Sequence, residues 1–475
     1  MKLPFVGQAY QARSLNVDAQ RCVNLYLEAD TSSSRAPLAL YGTPGTILRA
    51  TLGAARGVRG CIVAGGFSWW VSGATVYKMT SAYVVSTVGT LNSTSGPVSL
   101  ASNGIEILIV DGVNGYIITL STEILLQIAD PDFPNGVAVC TYQDSYFIVT
   151  SDGSQVFYIS DLLAGSSWVG TEFASAEGSP DLLVSMLSDH RELWLFGTNT
   201  TEVWVNTGNA EFPFERSGNT MIETGCAAPF SVAKMDNAIF WVGADDRGTG
   251  VVYRASGYTP ARISTHAIEH AIQGYQTVAD AVGFSYQQEG HVFYVLNFPS
   301  GNATWVYDAA TGAWHERVWR NPNIGSLNRW RGNCYAFFNN KHLIGDWQNG
   351  KIYELDLDTY TDNTDPIIRL RSTQCFEKEQ REIFYRRLQV DLEVGIGLQT
   401  GQGASPLMMM RWSNDGGHTW SNQKTATVGA TGQYGARCQY HQLGSGRNRV
   451  WEVSMTDPVK PAILGADIEF EVGSW

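Results

Sequence analysis

Three groups of residues in this 475-residue chain have types and spacings that could do chemistry. His266, Glu269 and His270 spell H-x-x-E-H, which on a helix sets two imidazoles one turn apart, able to share a zinc ion beside a carboxylate base. That chemistry needs a third ligand from a second helix, and the sequence offers no second convincing one. The segment is therefore read as a single amphipathic helix packed on its neighbours, with no metal. Ser413, Asp415, Gly417, Thr419 and Trp420 form S-x-D-x-G-x-T-W, an Asp-box. Its chemistry is structural: the Ser and Asp oxygens bond the backbone of a hairpin turn, the glycine takes positive φ, and the tryptophan is expected to anchor the turn to the core. Arg317, Arg320, Arg329 and Arg331 are interleaved with Trp314, Trp319 and Trp330. Such a mixture can stack on bases or pair with phosphates, which makes it a candidate DNA or interface patch. The preferred reading packs the tryptophans inside the fold and pairs the arginines with carboxylates.

No Walker A loop, G-x-G-x-x-G fingerprint, G-x-S-x-G elbow or paired-cysteine zinc site is present. No catalytic residue, cofactor or metal is expected. The Asp-box keeps one enzymatic alternative open, a sialidase-like propeller glycosidase acting on host surface glycans. Sialidases repeat the motif in successive blades, however, and here one copy lies outside the repeats, with no arginine triad or tyrosine nucleophile marked.

The elements that must position these residues are strands. A hairpin of two apolar strands around a Gly-, Asp-, Asn- or Ser-rich turn recurs as GGFSWWVSGATVYKM from Gly65, NGIEILIVDGVNGYIITL from Asn103 and DSYFIVTSDGSQVFYIS from Asp144. It returns as HRELWLFGTNTTEVWVN from His190, DNAIFWVGADDRGTGVVYRA from Asp236, EGHVFYVLNFPSGNATWVYD from Glu289 and NKHLIGDWQNGKIYELD from Asn340. A spacing of roughly 40–50 residues is that of four-stranded propeller blades, whereas β-helix rungs are shorter and helical repeats need a 3.6 period. Seven units can be counted, with six also compatible because the later spacing is irregular. Thr265–Tyr275 alone has helical periodicity, with Ile268, Ala271, Ile272 and Tyr275 on one face.

The polar stretch Thr359–Pro366 marks a boundary, after which RRLQVDLEV, LMMMRW, RCQYHQL, RVWEVSM and AILGADIEFEV read as the strands of a separate β-sandwich. The expected organisation is an N-terminal arm or ring-closing strand over 1–50, an all-β six- or seven-bladed propeller over 51–370, and a sandwich over 371–475. A chain this long exceeds the roughly 250–300 residues of a single core.

Composition agrees with this reading and limits function. The 49 glycines, 15 tryptophans and 21 tyrosines suit short strands and tight turns. A net charge of −13 argues against gripping DNA over the whole surface. Seven dispersed cysteines, never in a C-x-x-C pair, read as free and mostly buried thiols of a reducing compartment. MKLPFVGQAYQARS lacks an apolar signal core, and no apolar run is long enough to span a bilayer.

One resemblance adds what the repeats cannot. PFVGQAYQARSLNVDAQRCVNLYLE (Pro4–Glu28), LYGTPGT (Leu40–Thr46), WVYDAATGAWHER (Trp305–Arg317), the helix at Ile268–Tyr275 and LGSGRNRVWEVSMTDPVKPAILGADIE from Leu443 resemble the packaged-DNA stabilisation proteins of phages. These are tail hub or nozzle proteins of short-tailed phages like the Salmonella podoviruses. The resemblance implies a structural protein of the virion tail, made in the bacterial host cytoplasm. It further implies a ring of copies, six if the family pattern holds, below the portal-adaptor protein. That ring would prolong the DNA channel, retain packaged DNA without binding it tightly, and contact tail spike, fibre or needle proteins.

Overall fold

The computed structural model describes every residue except 31, 33–35, 152, 246–247 and 474–475. Six antiparallel blades, each cut from continuous chain, follow one another over residues 58–90, 99–127, 140–175, 183–222, 225–262 and 282–316. A further sheet, Gly332–Phe338, Lys341–Asp346 and Lys351–Asp356, closes the ring between the sixth blade and the first. Its outer strand, Gly45–Thr51, comes from the N-terminal segment and pairs antiparallel with Lys351–Asp356.

The sequence builds a ring because its strands are apolar on both faces. Successive side chains of a strand point to opposite sides. In Phe67–Ser72, Trp69 and Val71 pack with Ile107, Ile109 and Ile118 of the second blade, while Trp70 packs with Leu343 and Ile352 of the closing sheet. The alternation continues around the ring: Leu108 and Val110 meet Phe147 and Val149, Ile148 meets Leu193 and Leu195, and Trp194 and Phe196 meet Trp241. Each buried side chain of this size contributes roughly 1.5–3 kcal/mol.

The C-terminal domain is a β-sandwich. Ile383–Leu392, Ala462–Val472 and Cys438–His441 form one sheet, and Arg369–Ser372, Asn448–Met455, Leu407–Ser413 and Lys424–Thr427 lie in the other. The first sheet is extended by N-terminal chain. Lys2–Leu3 pairs with Asp467 and Ala466, and the hairpin Leu25–Ala29/Leu38–Gly42 adds to Ala462 and Ile463. Cys22–Val23 bridges the two domains, parallel to the sixth blade at Glu316 and antiparallel to Arg371 and Leu370. One apolar cluster runs from Phe240, Tyr294 and Leu296 of the fifth and sixth blades to Leu388, Met410, Trp451 and Ile468 of the sandwich.

Among the described residues the α-helix is His266–Gln273, capped by Thr265, whose hydroxyl accepts from the Ile268 amide. Ile268 and Ile272 are fully buried in that shared cluster. No described helix is long and apolar enough to cross a membrane.

Candidate functional site

The three groups singled out in the sequence lie in different places. Glu269 is buried and engaged: Arg262 Nε donates to its Oε1 at 2.6 Å, and the Ser264 hydroxyl donates to the same oxygen at 2.7 Å. His266 and His270 are exposed. Among the described residues no three His, Cys, Asp or Glu side chains are grouped to hold a metal ion.

The Asp-box forms a closed turn. The Ser413 hydroxyl donates to Asp415 and accepts from the Gly417 amide at 2.7 Å. The Asp415 carboxylate also takes the Thr419 amide at 2.9 Å and its hydroxyl at 2.5 Å, and the Ser413 bond first, then these two, hold Asp415 well below the usual carboxylate range. Gly416 and Gly417 have φ of +76° and +103°, values that strain any residue with a Cβ. A Cβ on Gly416 would also collide with Asn16, so the box presses on the N-terminal segment. Trp420 departs from expectation. It is half-buried rather than set in the core, with the Arg411 guanidinium 4.5 Å from its ring centre.

The arginines do not make an open basic face. Arg317 is 1% exposed, lies 3.7 Å over Trp330, and donates to the Tyr286 hydroxyl at 3.0 Å and the Pro44 carbonyl at 3.2 Å. Arg331 lies 4.2 Å over Trp319 and pairs with Asp346 at 2.8 Å, with Asp362 at 3.6 Å. Arg329 is 8% exposed and lies 4.1 Å over Trp347. Arg320 is half-buried on the strand Val318–Arg320. Three of the four, Arg317, Arg329 and Arg331, thus lie in cation–π stacks, which gain strength from desolvation.

A seam that sequence reasoning missed joins the domains through the N-terminal segment. The Arg21 guanidinium grips Glu316 with two bonds, at 3.0 and 2.6 Å. Arg371, fully buried, donates to the carbonyls of Phe5 at 2.7 Å and Gln8 at 2.9 Å. Asn24 donates to the carbonyls of Val318 at 3.0 Å and Ile368 at 2.8 Å and accepts from the Val318 amide. His291 sits between Asp308 at 2.8 Å and Glu28 at 2.9 Å, and these carboxylates raise it to about 9. The visible signal was the N-terminal stretch itself, since Arg21, Asn24 and Glu28 all fall within Pro4–Glu28. The seven cysteines are free, and Cys22, Cys140, Cys226 and Cys438 are buried.

At one mouth of the propeller axis, where the innermost strands begin, a cavity of about 650 Å³ opens between the first, second, fifth and sixth blades and the closing sheet. Gly57 is among its lining residues, and a Cβ there would collide with the Trp347 carbonyl.

Two family models match the chain. The bacteriophage P22 Gp10 β-propeller matches residues 1–360, and the bacteriophage P22 Gp10 β-sandwich matches residues 368–471. The chain belongs to the bacteriophage P22 Gp10 family. It is accordingly a phage structural protein, and its seam lies where the two matched parts of a Gp10-like chain meet. A comparison with curated proteins gives no match. Solved structures similar to it include the extracellular domain of a hybrid two-component system from B. thetaiotaomicron, at 11% identity over 72% of this chain and 43% of that one, TM-score 0.46. The WD40 β-propeller domain of Doa1 matches at 10% identity over 66% of this chain and 96% of that one, TM-score 0.42. The N-terminal domain of Nup159 matches at 9% identity over 71% and 98%, TM-score 0.41. Likenesses this distant carry no functional information about a Gp10-family chain.

Proposed function

We propose that this protein is the tail hub of a short-tailed phage: copies of it form a closed ring below the portal-adaptor, prolong the DNA channel and keep the packaged genome from leaking. The observation that carries the reading is membership of the Gp10 family across both propeller and sandwich. Two further observations support it. The domains share one apolar cluster and are stapled by Arg21, Asn24 and Arg371, which suits a rigid part that must bear load. The net charge of −13 suits a channel wall past which DNA slides, because each neutralised phosphate would add salt-sensitive affinity. Head-to-tail contacts that close on themselves give the ring, with six copies following the family resemblance. Assembly takes place in the bacterial cytoplasm, and the outer surfaces receive tail spike, fibre or needle proteins. The Asp-box serves a turn in this reading and no glycan chemistry. Particles lacking the protein should package genomes and then lose them. Particles that keep their DNA without it would overturn the role.

A further inference from the structure

The axial cavity contains a guanidinium that no hydrogen bond or close ion pair engages among the described residues. Four charged residues line it, Arg56, Arg59, Asp280 and Arg329. Arg59 is fully occupied, donating to the carbonyls of Gly73 at 2.8 Å, Ser93 at 3.0 Å, Ser95 at 2.8 Å and Gly96 at 2.6 Å. Asp280 is turned to Ser300, accepting from its amide at 2.7 Å and its hydroxyl at 3.3 Å. Arg56 is exposed.

Arg329 differs from the others. It is more than nine-tenths buried, yet its Nη1 has no hydrogen-bond acceptor among the described residues, and the carboxylates of Asp280 and Asp346 favour its charge without coming within ion-pair distance. The ring N–H of Trp347, on which the guanidinium lies, also lacks an acceptor. Proteins rarely leave buried donors unmet, and least of all a cationic one. Burial lowers Arg329 to about 10, so it remains charged at neutral pH. The rest of the wall is apolar where Pro97, Pro229, Phe230, Val282 and Pro299 line it. A volume of about 650 Å³ falls within the roughly 300–1,000 Å³ of small-molecule sites.

We propose that this axial cavity binds a small organic carboxylate, its acid group held by Arg329 beside the Trp347 ring and its apolar body against Phe230 and the prolines. A planar guanidinium offers two parallel N–H donors to a carboxylate, which is why arginine suits the fork. The apolar wall sets this ligand apart from a bare inorganic anion. Nothing in the inference depends on ring assembly, so it can be tested on the free chain.

The test titrates the full chain with 3-phenylpropionate by calorimetry, alongside 3-phenylpropanol and inorganic phosphate. Saturable one-to-one binding of the acid is expected, weaker by about tenfold or more for the alcohol, as befits loss of hydrogen bonds to a charged group. Phosphate should bind more weakly than the acid as well. Arg329→Gln should cause a similar loss. Thr94→Trp, at an exposed lining residue, should abolish binding by filling the mouth even if the arginine variant fails to fold. Absence of saturable binding, equal affinity for acid and alcohol, phosphate binding as tightly as the acid, or full binding by Thr94→Trp would each overturn the proposal.

Discussion

Arg21 and Glu316 meet in a two-bond fork, Nε to Oε1 at 3.0 Å and Nη2 to Oε2 at 2.6 Å, joining the N-terminal segment to the last strand of the sixth blade. Neither side chain is fully exposed, so the pair is screened less than a surface ion pair. Its bidentate geometry is the strong form of a charge-assisted bond. A double-mutant cycle with Arg21→Ala and Glu316→Ala should give a coupling of about 1–3 kcal/mol in chemical unfolding. A coupling near zero would make the fork incidental to the seam.

His291 makes the same seam sensitive to pH. Its folded pKa of about 9 lies above the 6.5 of a free imidazole, because Asp308 and Glu28 favour the charged ring. The stabilisation is therefore complete below pH 6.5 and is lost as pH rises toward 9. Buried His315 behaves oppositely. Desolvation lowers it to about 3, so the unfolded chain takes up a proton that the folded chain refuses, and stability falls as pH drops below 6.5. In thermal unfolding, the advantage of the native protein over His291→Gln should shrink steadily from pH 6.5 to 9. An advantage that stays constant across that window would mean the ring is neutral in the fold.

The Asp-box should act on stability alone. Asp415→Ala removes the acceptor for the Thr419 amide and hydroxyl and should cost roughly 1–3 kcal/mol. Trp420→Ala should cost less than a core tryptophan, because the ring is half-buried and its partner is the Arg411 guanidinium. The pure protein should leave a fluorogenic sialoside intact. Turnover that disappears with a candidate nucleophile variant would restore the glycosidase reading.

What was legible in the sequence was local. Trp69-Trp70-Val71 is apolar at every position because a blade has a neighbour on each side, and that pattern is visible in one strand. Ile268, Ala271, Ile272 and Tyr275 on one face mark an amphipathic helix, and the structure has one over His266–Gln273, with a Thr265 cap that the sequence reading did not include. The completion of the sandwich by Leu25–Ala29 and Leu38–Gly42 was not legible, since pairing across more than 400 residues leaves no mark on either strand. The burial of Arg317 and Arg329 was equally hidden. Arginine beside tryptophan reads alike whether the stack faces solvent or the interior, and only the neighbouring sheets decide. That Arg329 Nη1 has no acceptor is a property of the assembled cavity, which no single stretch of sequence displays.

The last prediction concerns DNA. A channel that retains a genome and later releases it must not hold phosphates tightly, because affinity for duplex rises with every phosphate neutralised. This chain carries 45 acidic against 32 basic residues. Of the four arginines that could have formed a clamp, Arg317 and Arg329 are buried and Arg331 is paired with Asp346. A repulsive or neutral wall would let the duplex slide. At physiological salt the isolated protein should therefore bind duplex DNA no more tightly than the non-specific range, roughly 10⁻⁴–10⁻⁶ M. Raising the salt should weaken even that. Nanomolar affinity in a fluorescence-anisotropy titration, reduced by Arg320→Ala at the half-buried end of the group, would show a DNA-gripping clamp in place of a smooth bore.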